Sequence, residues 1–124
     1  MAYAATVTVT RKGSEILVTV SETEAASGSE ATITIGVTKF RVHRQICTLS
    51  SGSGASVDPI LGRATSLSGA NVILDNDAAA ATADNSVTGG VTGYSSDGIL
   101  YHRSKVNTGT DNTVVSEYHL TVGW

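Results

Sequence analysis

The sequence has one cysteine, one proline, few aromatic residues and few charges, and each scarcity excludes a class of protein. Aromatic residues make up 5% and charged residues 15% of the 124 residues. A single cysteine, Cys47, allows no disulfide within the chain, which excludes a disulfide-stabilised scaffold and favours an intracellular setting. A cysteine nucleophile requires a base and an electropositive environment. With Ile46 and Leu49 beside it, Cys47 is instead predicted to be a small buried apolar side chain.

The sequence also lacks the motifs that identify common enzymes. It contains no G-x-S-x-G, no P-loop, no dinucleotide fingerprint and no recognisable carboxylate pair. We therefore predict that the chain is not an enzyme and uses no cofactor. The net charge of −3 and the near absence of stacking aromatics predict no specific nucleic-acid partner. No apolar run approaches the roughly 18 residues of a membrane span, and no Lys or Arg precedes Arg11, so neither membrane nor signal peptide is predicted.

Alternating apolar and polar residues, the pattern of half-buried β-strands, recur along the chain. Residues 5–10 and 15–21 flank a turn and predict a hairpin. Further strands are predicted at residues 31–38, 38–49, 70–75, 99–105 and 113–122. Asp77 followed by Ala78–Ala81 is a helix signal. We predict a single domain over residues 1–124. Its fold is an all-β antiparallel sandwich or small barrel of about seven to eight strands, with at most one short helix near 77–83.

The stretch Thr38–Leu49 has the most informative alternation. Its pattern places Phe40, Val42 and Ile46 on one face of a strand, and places the polar residues on the other; these are Lys39, Arg41, His43 and Gln45. The preceding strand has its apolar residues at odd positions, so the phase changes near Gly36. We expect either a bulge there or a bend that carries the chain from one sheet to the other.

Basic residues in two predicted strands are candidates for partner binding. They are Lys39, Arg41, His43 and Arg44 in one strand, and Arg103 and Lys105, next to His102, in a later one. If the two strands are neighbours, these cations share one surface, which would dock on an acidic protein surface or contact phosphates or sulfated glycans. The alternative is an ordinary solvated sheet face, balanced by a solvated acidic loop at Glu22–Glu30.

Three other groups of residues are candidates for binding. The exposed Thr face of an edge strand, Thr6, Thr8 and Thr10, is suited to adding to the sheet of a neighbouring protein. A calcium site would use oxygen ligands from Asp75, Asn76, Asp77, Asp84 and Asn85, although helix capping explains Asp75 and Asp77 more simply. Three histidines, His43, His102 and His119, lack metal-ligand spacing and are interpreted as surface or hydrogen-bonded residues. We predict no metal site.

The chain as a whole is similar to small structural proteins of tailed-bacteriophage virions, and most similar to capsid decoration (cement) proteins. The similarity lies in its length, its Ala/Gly/Ser/Thr/Val-rich composition, its scarcity of aromatics and its strand pattern. It includes no family motif, so no residue role is transferred. The resemblance implies a virion protein on the capsid exterior, assembled in the host cytoplasm, which binds the major capsid protein and stabilises the lattice. It also implies a homo-oligomer, often a trimer.

Two alternatives remain open. The first is a carbohydrate-binding or host-attachment β-sandwich of a virion fibre, which would use exposed aromatics such as Tyr94, Tyr101 or Trp124. The second is a self-assembling shell or tail-tube subunit, which would form large assemblies by itself.

Overall fold

The computed structural model describes residues 2–26, 28–76, 80–106 and 111–123. These residues form nine strands and a 3-10 turn at Gly69–Asn71, which confirms the predicted all-β class. The strands are β1 (Ala4–Lys12), β2 (Glu15–Thr23), β3 (Ala31–Thr34), β4 (Lys39–Ser51), β5 (Ile60–Gly62), β6 (Val72–Asp75), β7 (Thr82–Tyr94), β8 (Ile99–Arg103) and β9 (Thr113–Val122). No helix among the described residues is long and apolar enough to cross a membrane.

The strands form two antiparallel sheets. One sheet has five strands in the order β1-β2-β9-β4-β7, and the other has four in the order β3-β8-β5-β6. Without β1, the two sets of four have the strand orders of a jelly roll, a two-sheet fold found in capsid proteins, lectins and cupins. Because one such fold serves many functions, the function has to be argued from the surfaces.

The N-terminal hairpin is the most regular part of the five-stranded sheet. β1 and β2 pair without interruption from Ala4↔Thr23 to Lys12↔Glu15. Gly13, with φ of +61°, opens the two-residue turn, as a type II′ hairpin turn requires. The predicted hairpin is therefore confirmed, and β1 occupies an edge of the sheet.

The phase change near Gly36 marks a transfer between the sheets, which is one of the two predicted alternatives. β3 belongs to the four-stranded sheet, whereas β4 belongs to the five-stranded sheet. The segment between the two strands therefore carries the chain across the core, and the apolar residues of each strand can face that core with different parity.

A second phase change lies inside β4, where the simple alternation was wrong. The register with both neighbouring strands shifts between Val42 and Arg44, which identifies His43 as the site of a bulge. Beyond it, Gln45 and Cys47 are buried, whereas Ile46 is only half-buried. One extra residue in a strand exchanges its faces, so Ile46 does not share the inner face with Phe40.

Two predicted loop features also differ in the structure. Glu22 is not part of a solvated acidic loop; it belongs to β2 and is fully buried. Residues 77–79 of the possible short helix lie outside the described residues. Its remainder is extended, because Ala80 bridges to Val57 and β7 begins at Thr82. Strand pairing and burial of Ala83 here outweigh the intrinsic helix propensity of alanine.

The core lies between the two sheets. Its larger cluster draws on both sheets; it includes Ile16, Val18, Val20, Ile33, Phe40, Val42, Leu61, Leu100, Tyr118 and Leu120. A smaller cluster contains Ala25, Cys47, Val57, Ala83, Val106 and Val114. The burial of Cys47 confirms its interpretation as a core residue.

Candidate interaction surface

The face of the five-stranded sheet that points away from the core is a broad exposed surface, here called the outer face. The strand register aligns residues of neighbouring strands in rows across this face. One row consists of Thr8, Thr19, Glu117, Ile46 and Asp84. Two large apolar side chains stand on it, since Leu17 is 39% and Val115 is 37% exposed. Threonines and charged residues surround them. The row that contains Thr19 and Glu117 lies between them, so Leu17 and Val115 are two separate apolar points on a largely polar face.

The bulge at His43 organises the basic part of the outer face. His43 Nε2 lies 2.8 Å from Thr121 Oγ1 in a hydrogen bond, and Arg41 Nη1 donates to the Gly89 carbonyl over 3.1 Å. Opposite the bulge, β7 inserts residues 87–90, in which Gly89 and Gly90 both have positive φ. A Cβ on Gly90 would lie 2.9 Å from both Arg41 Cβ and the His43 ring. Glycine at this position leaves room for both basic side chains beside β7.

Arg44 differs from these residues because its charge is already paired. Its Nε and Nη2 donate to Asp84 Oδ1 and Oδ2 over 3.1 and 2.8 Å. These two hydrogen bonds form a bidentate ion pair, which raises the pKa of Arg44 and lowers the pKa of Asp84. Arg44 therefore contributes less positive charge to the outer face than Arg41. Asp84, which was considered as a calcium ligand, is paired with a guanidinium instead.

The two predicted basic strands do not share a surface. β4, with Lys39 to Arg44, is in the five-stranded sheet, whereas β8 is in the four-stranded sheet. Arg103 at the end of β8 donates to Glu30 Oε2 over 3.0 Å, and Lys105 follows it. The expectation of one joined basic stripe fails because it required neighbouring strands.

A pocket of about 600 Å³ opens where the β1–β2 turn meets β4 and β9. Its walls carry hydroxyl, imidazole, ammonium and carboxylate groups next to apolar atoms. The lining residues are Thr10, Lys12, Glu15, Ile16, Leu17, His43, His119, Leu120 and Thr121. The volume lies in the range of small-molecule sites, and the mixture of donors and acceptors suits a polar ligand.

The remaining predicted site residues are separated from one another. Tyr94 is exposed at the end of β7, whereas Tyr101 is half-buried in β8 of the other sheet, so they do not form one glycan platform. Trp124 and Asp77 lie outside the described residues. Within the described ranges, His, Cys, Asp and Glu side chains nowhere gather in a group of three suitable for a metal ion.

A buried polar network, which the sequence analysis missed, crosses the core. Glu22 accepts from Tyr3 Oη over 2.7 Å through Oε2, and its Oε1 lies 2.9 Å from His102 Nε2. Tyr118 Oη bonds to His102 Nδ1 and accepts from Gln45 Nε2 over 3.2 Å. The parity of Glu22, which continues Ile16, Val18 and Val20, was the available signal.

This network contains residue types used in catalysis, but its geometry and burial oppose that use. The side chains of Glu22 and His102 have 0% exposure. Ser116 Oγ lies 3.4 Å from His102 Nε2, the same nitrogen that faces Glu22, so no relay runs from carboxylate through the ring to the hydroxyl. Burial also raises the pKa of the Cys47 thiol to about 12, which keeps it protonated. The network thus pairs most of its polar atoms inside the fold, with Gln45 Oε1 buried and without a hydrogen bond.

Comparisons with known proteins find structures that are similar to this chain with low TM-scores and low sequence identities. No protein-family model and no curated protein matches the sequence. A Nora virus structure is similar with a TM-score of 0.37 and 10% identity, over 99% of this chain and 61% of that one. Crystal structures of HppE with FeII and with CoII and Tris buffer have TM-scores of 0.31 and 0.30 at 7% identity. They cover 92% of this chain and 50% and 52% of theirs.

The chain therefore spans between 50% and 61% of the length of these structures. At such TM-scores and identities, the similarities carry no argument about what this chain binds or does.

Proposed function

We propose that the chain is a non-enzymatic structural protein that docks on other proteins through its outer face, and that it serves as a decoration protein on a phage capsid. The observation that carries this proposal is the outer face itself. The five-stranded sheet presents an open face on which Leu17 and Val115 are exposed among threonines and charged residues. The similarity of composition and strand pattern to virion decoration proteins supports the choice of a capsid as the partner.

The charges on the outer face define the chemistry of that partner. Arg41, His43 and Lys12 lie at one end of the face, whereas Arg44 is paired with Asp84. These cations fit an acidic patch on the major capsid protein, which would steer the encounter and set the orientation. Attachment to several copies in a lattice strengthens weak single contacts through effective concentration.

The test is binding to capsid shells assembled without this chain. Native mass measurement and electron microscopy of the material that co-purifies with the chain identify the shell. Co-sedimentation then compares wild type with Arg41→Glu and with the matched charge reversal Arg63→Glu, which lies beyond β5 of the other sheet. We expect Arg41→Glu to weaken binding at least tenfold and Arg63→Glu to leave it unchanged. A folded wild-type chain that binds no shell would refute the proposal.

The pocket beside His43 favours a second function, recognition of a polar sugar. Its hydroxyl, imidazole and ammonium groups are suited to sugar hydroxyls and carboxylates, and Leu17 supplies apolar contact. A glycan array with wild type, His43→Ala and Tyr94→Ala distinguishes the sites. Glycan binding lost in His43→Ala but kept in Tyr94→Ala would assign the pocket. Large shells or tubes formed by the chain alone would instead favour a self-assembling subunit.

A further inference from the structure

Among the described residues, the edge strand β1 has no strand hydrogen-bonded to its outer side, although it contacts β3 of the other sheet. It is nine residues long and pairs only with β2, without a bulge. Its inward-facing Val9 is 37% exposed, so β1 extends beyond the part of the sandwich that the other sheet covers. Edge strands are normally protected by brevity, bulges, proline or charge, and β1 has charges only at its end, Arg11 and Lys12.

The other described edges are protected in these ways. β7, at the opposite edge of the same sheet, is interrupted by the insertion at residues 87–90. β3 and β6, the edges of the four-stranded sheet, have four residues each. Long, regular and uncharged over most of its length, β1 is the edge best suited to accept another strand.

The register of the sheet determines which backbone groups of β1 are free. Val122 N donates to the Ser14 carbonyl over 2.8 Å, so Ser14 faces β9. Backbone groups alternate in direction along a strand, so Glu15 faces β1 and forms a hydrogen-bonded pair with Lys12. Even-numbered residues of β1 therefore bond to β2. The N–H and C=O groups that point outward belong to Ala5, Val7, Val9 and Arg11.

We propose that β1 pairs with β1 of a second copy, antiparallel about a two-fold axis at Thr8, and joins two five-stranded sheets into one of ten strands. Centring on Thr8 pairs the whole strand from Ala4 to Lys12, whereas a centre at Val7 or Val9 leaves one end unpaired. It also places outward-pointing residues opposite each other, as antiparallel pairing requires.

The side chains of β1 are complementary to themselves in this register. Val7 lies opposite Val9 of the second copy, and Thr6 lies opposite its Thr10. Both are favourable cross-strand pairs of β-branched residues. Arg11 and Lys12 lie opposite the small side chains of Ala5 and Ala4, so no like charges face each other directly. The exposed part of Val9 becomes covered on the core side, which gives the contact an apolar component.

Thiol cross-linking tests both the pairing and its register. In this register, Thr8 lies opposite Thr8 of the second copy in a non-hydrogen-bonded pair. The Cα atoms of such a pair are about 4.5 Å apart, and a disulfide can span this separation. Under mild oxidation, Thr8→Cys is expected to form a covalent dimer, whereas Thr6→Cys and Thr10→Cys alone do not. A mixture of Thr6→Cys and Thr10→Cys is expected to cross-link. Cys47 is buried and does not compete.

A second measurement keeps the proposal testable without disulfides. Thr8→Lys places two ammonium groups opposite each other, whereas Thr10→Lys places its ammonium opposite Thr6. We expect a wild-type dimer by native mass spectrometry, loss of that dimer in Thr8→Lys, and its retention in Thr10→Lys. A monomeric wild type at all concentrations, or a dimer equally tolerant of both substitutions, would refute the proposal. Because Thr8 and Thr10 also lie on the outer face, capsid docking is judged separately, from co-sedimentation of the wild type and Arg41→Glu.

Discussion

The inner and outer faces of the five-stranded sheet carry similar polar residue types in opposite situations. On the inner face, Glu22 is fully buried and bonds to Tyr3 and His102. On the outer face, Glu117 is 42% exposed and lies 3.5 Å from the half-exposed His119. The inner pair fixes the fold, because each group depends on the other for its hydrogen bonds. The outer pair exposes about half of each side chain, although the His119 Nε2 atom is buried and makes no hydrogen bond.

The difference shows that residue type alone does not assign a role in this protein. A Glu–His contact in the core connects buried polar groups of the two sheets, whereas a Glu–His contact on the outer face lies partly in solvent. Four substitutions or conditions separate these roles, beginning with the largest expected effect.

Glu22→Ala is expected to destabilise the fold most. It leaves His102 Nε2 and Tyr3 Oη without their partner inside the core. Loss of one member of a buried pair costs about 3–5 kcal/mol in the free energy of unfolding. Urea unfolding of Glu22→Ala, with the outer-face variant Glu117→Ala as control, measures the difference. Equal losses in the two variants would contradict the contrast between the faces.

Tyr118→Phe is expected to have an intermediate effect. The substitution keeps the ring and removes the hydroxyl that bonds to His102 Nδ1 and Gln45 Nε2. Leaving buried polar groups unsatisfied costs about 1–3 kcal/mol. Urea unfolding measures it, and the double variant with Glu22→Ala should lose less than the sum of the two single losses. Strict additivity would show that the network does not act as a unit.

Alkaline pH should destabilise the protein through Cys47. Burial raises its pKa to about 12 in the folded state, whereas an unfolded thiol has a pKa of about 8.5. This contribution is complete below pH about 8.5 and is lost as pH rises towards about 12, because only the unfolded chain releases the proton. At pH about 9.5, stability should fall by about 1.4 kcal/mol. Unfolding curves for wild type and Cys47→Ala test it; an identical pH dependence would exclude the thiol as the cause.

Leu17→Thr on the outer face is expected to change stability least. The side chain is already exposed, so the free energy of unfolding should change by no more than about 0.5 kcal/mol. Binding to capsid shells should nevertheless weaken, since the contact loses exposed apolar area. Co-sedimentation beside urea unfolding separates the two effects. Unchanged binding would remove Leu17 from the proposed contact.

Much of the fold was predictable because period-two patterns mark most strands. The hairpin, the closing strand β9 and the transfer between sheets near Gly36 all follow from apolar parity. The bulge at His43 was not predictable, because either phase of β4 offers apolar residues: Val42 and Ile46 in one, Cys47 in the other. Pairing with β7 and β9, which are distant in sequence, decides the phase.

The candidate surface was predictable only in part. Thr6, Thr8 and Thr10 lie on an edge strand, as supposed, and Arg41 and His43 lie on an exposed face. The grouping of β4 with β8 failed because strand order depends on long-range topology, which alternation does not encode. The role of Glu22 was missed because residues 22–30 were interpreted as a solvated loop on account of their charge. The position of Glu22 in the alternation of β2 indicated the buried face instead.

The single buried thiol, that of Cys47, can report when the folded protein opens. Cys47 is buried in the core, so an added thiol reagent can modify it only when the core opens. The rate of modification in native buffer therefore counts opening events, and its dependence on urea separates local from global opening. If β1 pairs with a second copy and this pairing slows the opening of the sheet, dilution should raise the rate at which Cys47 is modified.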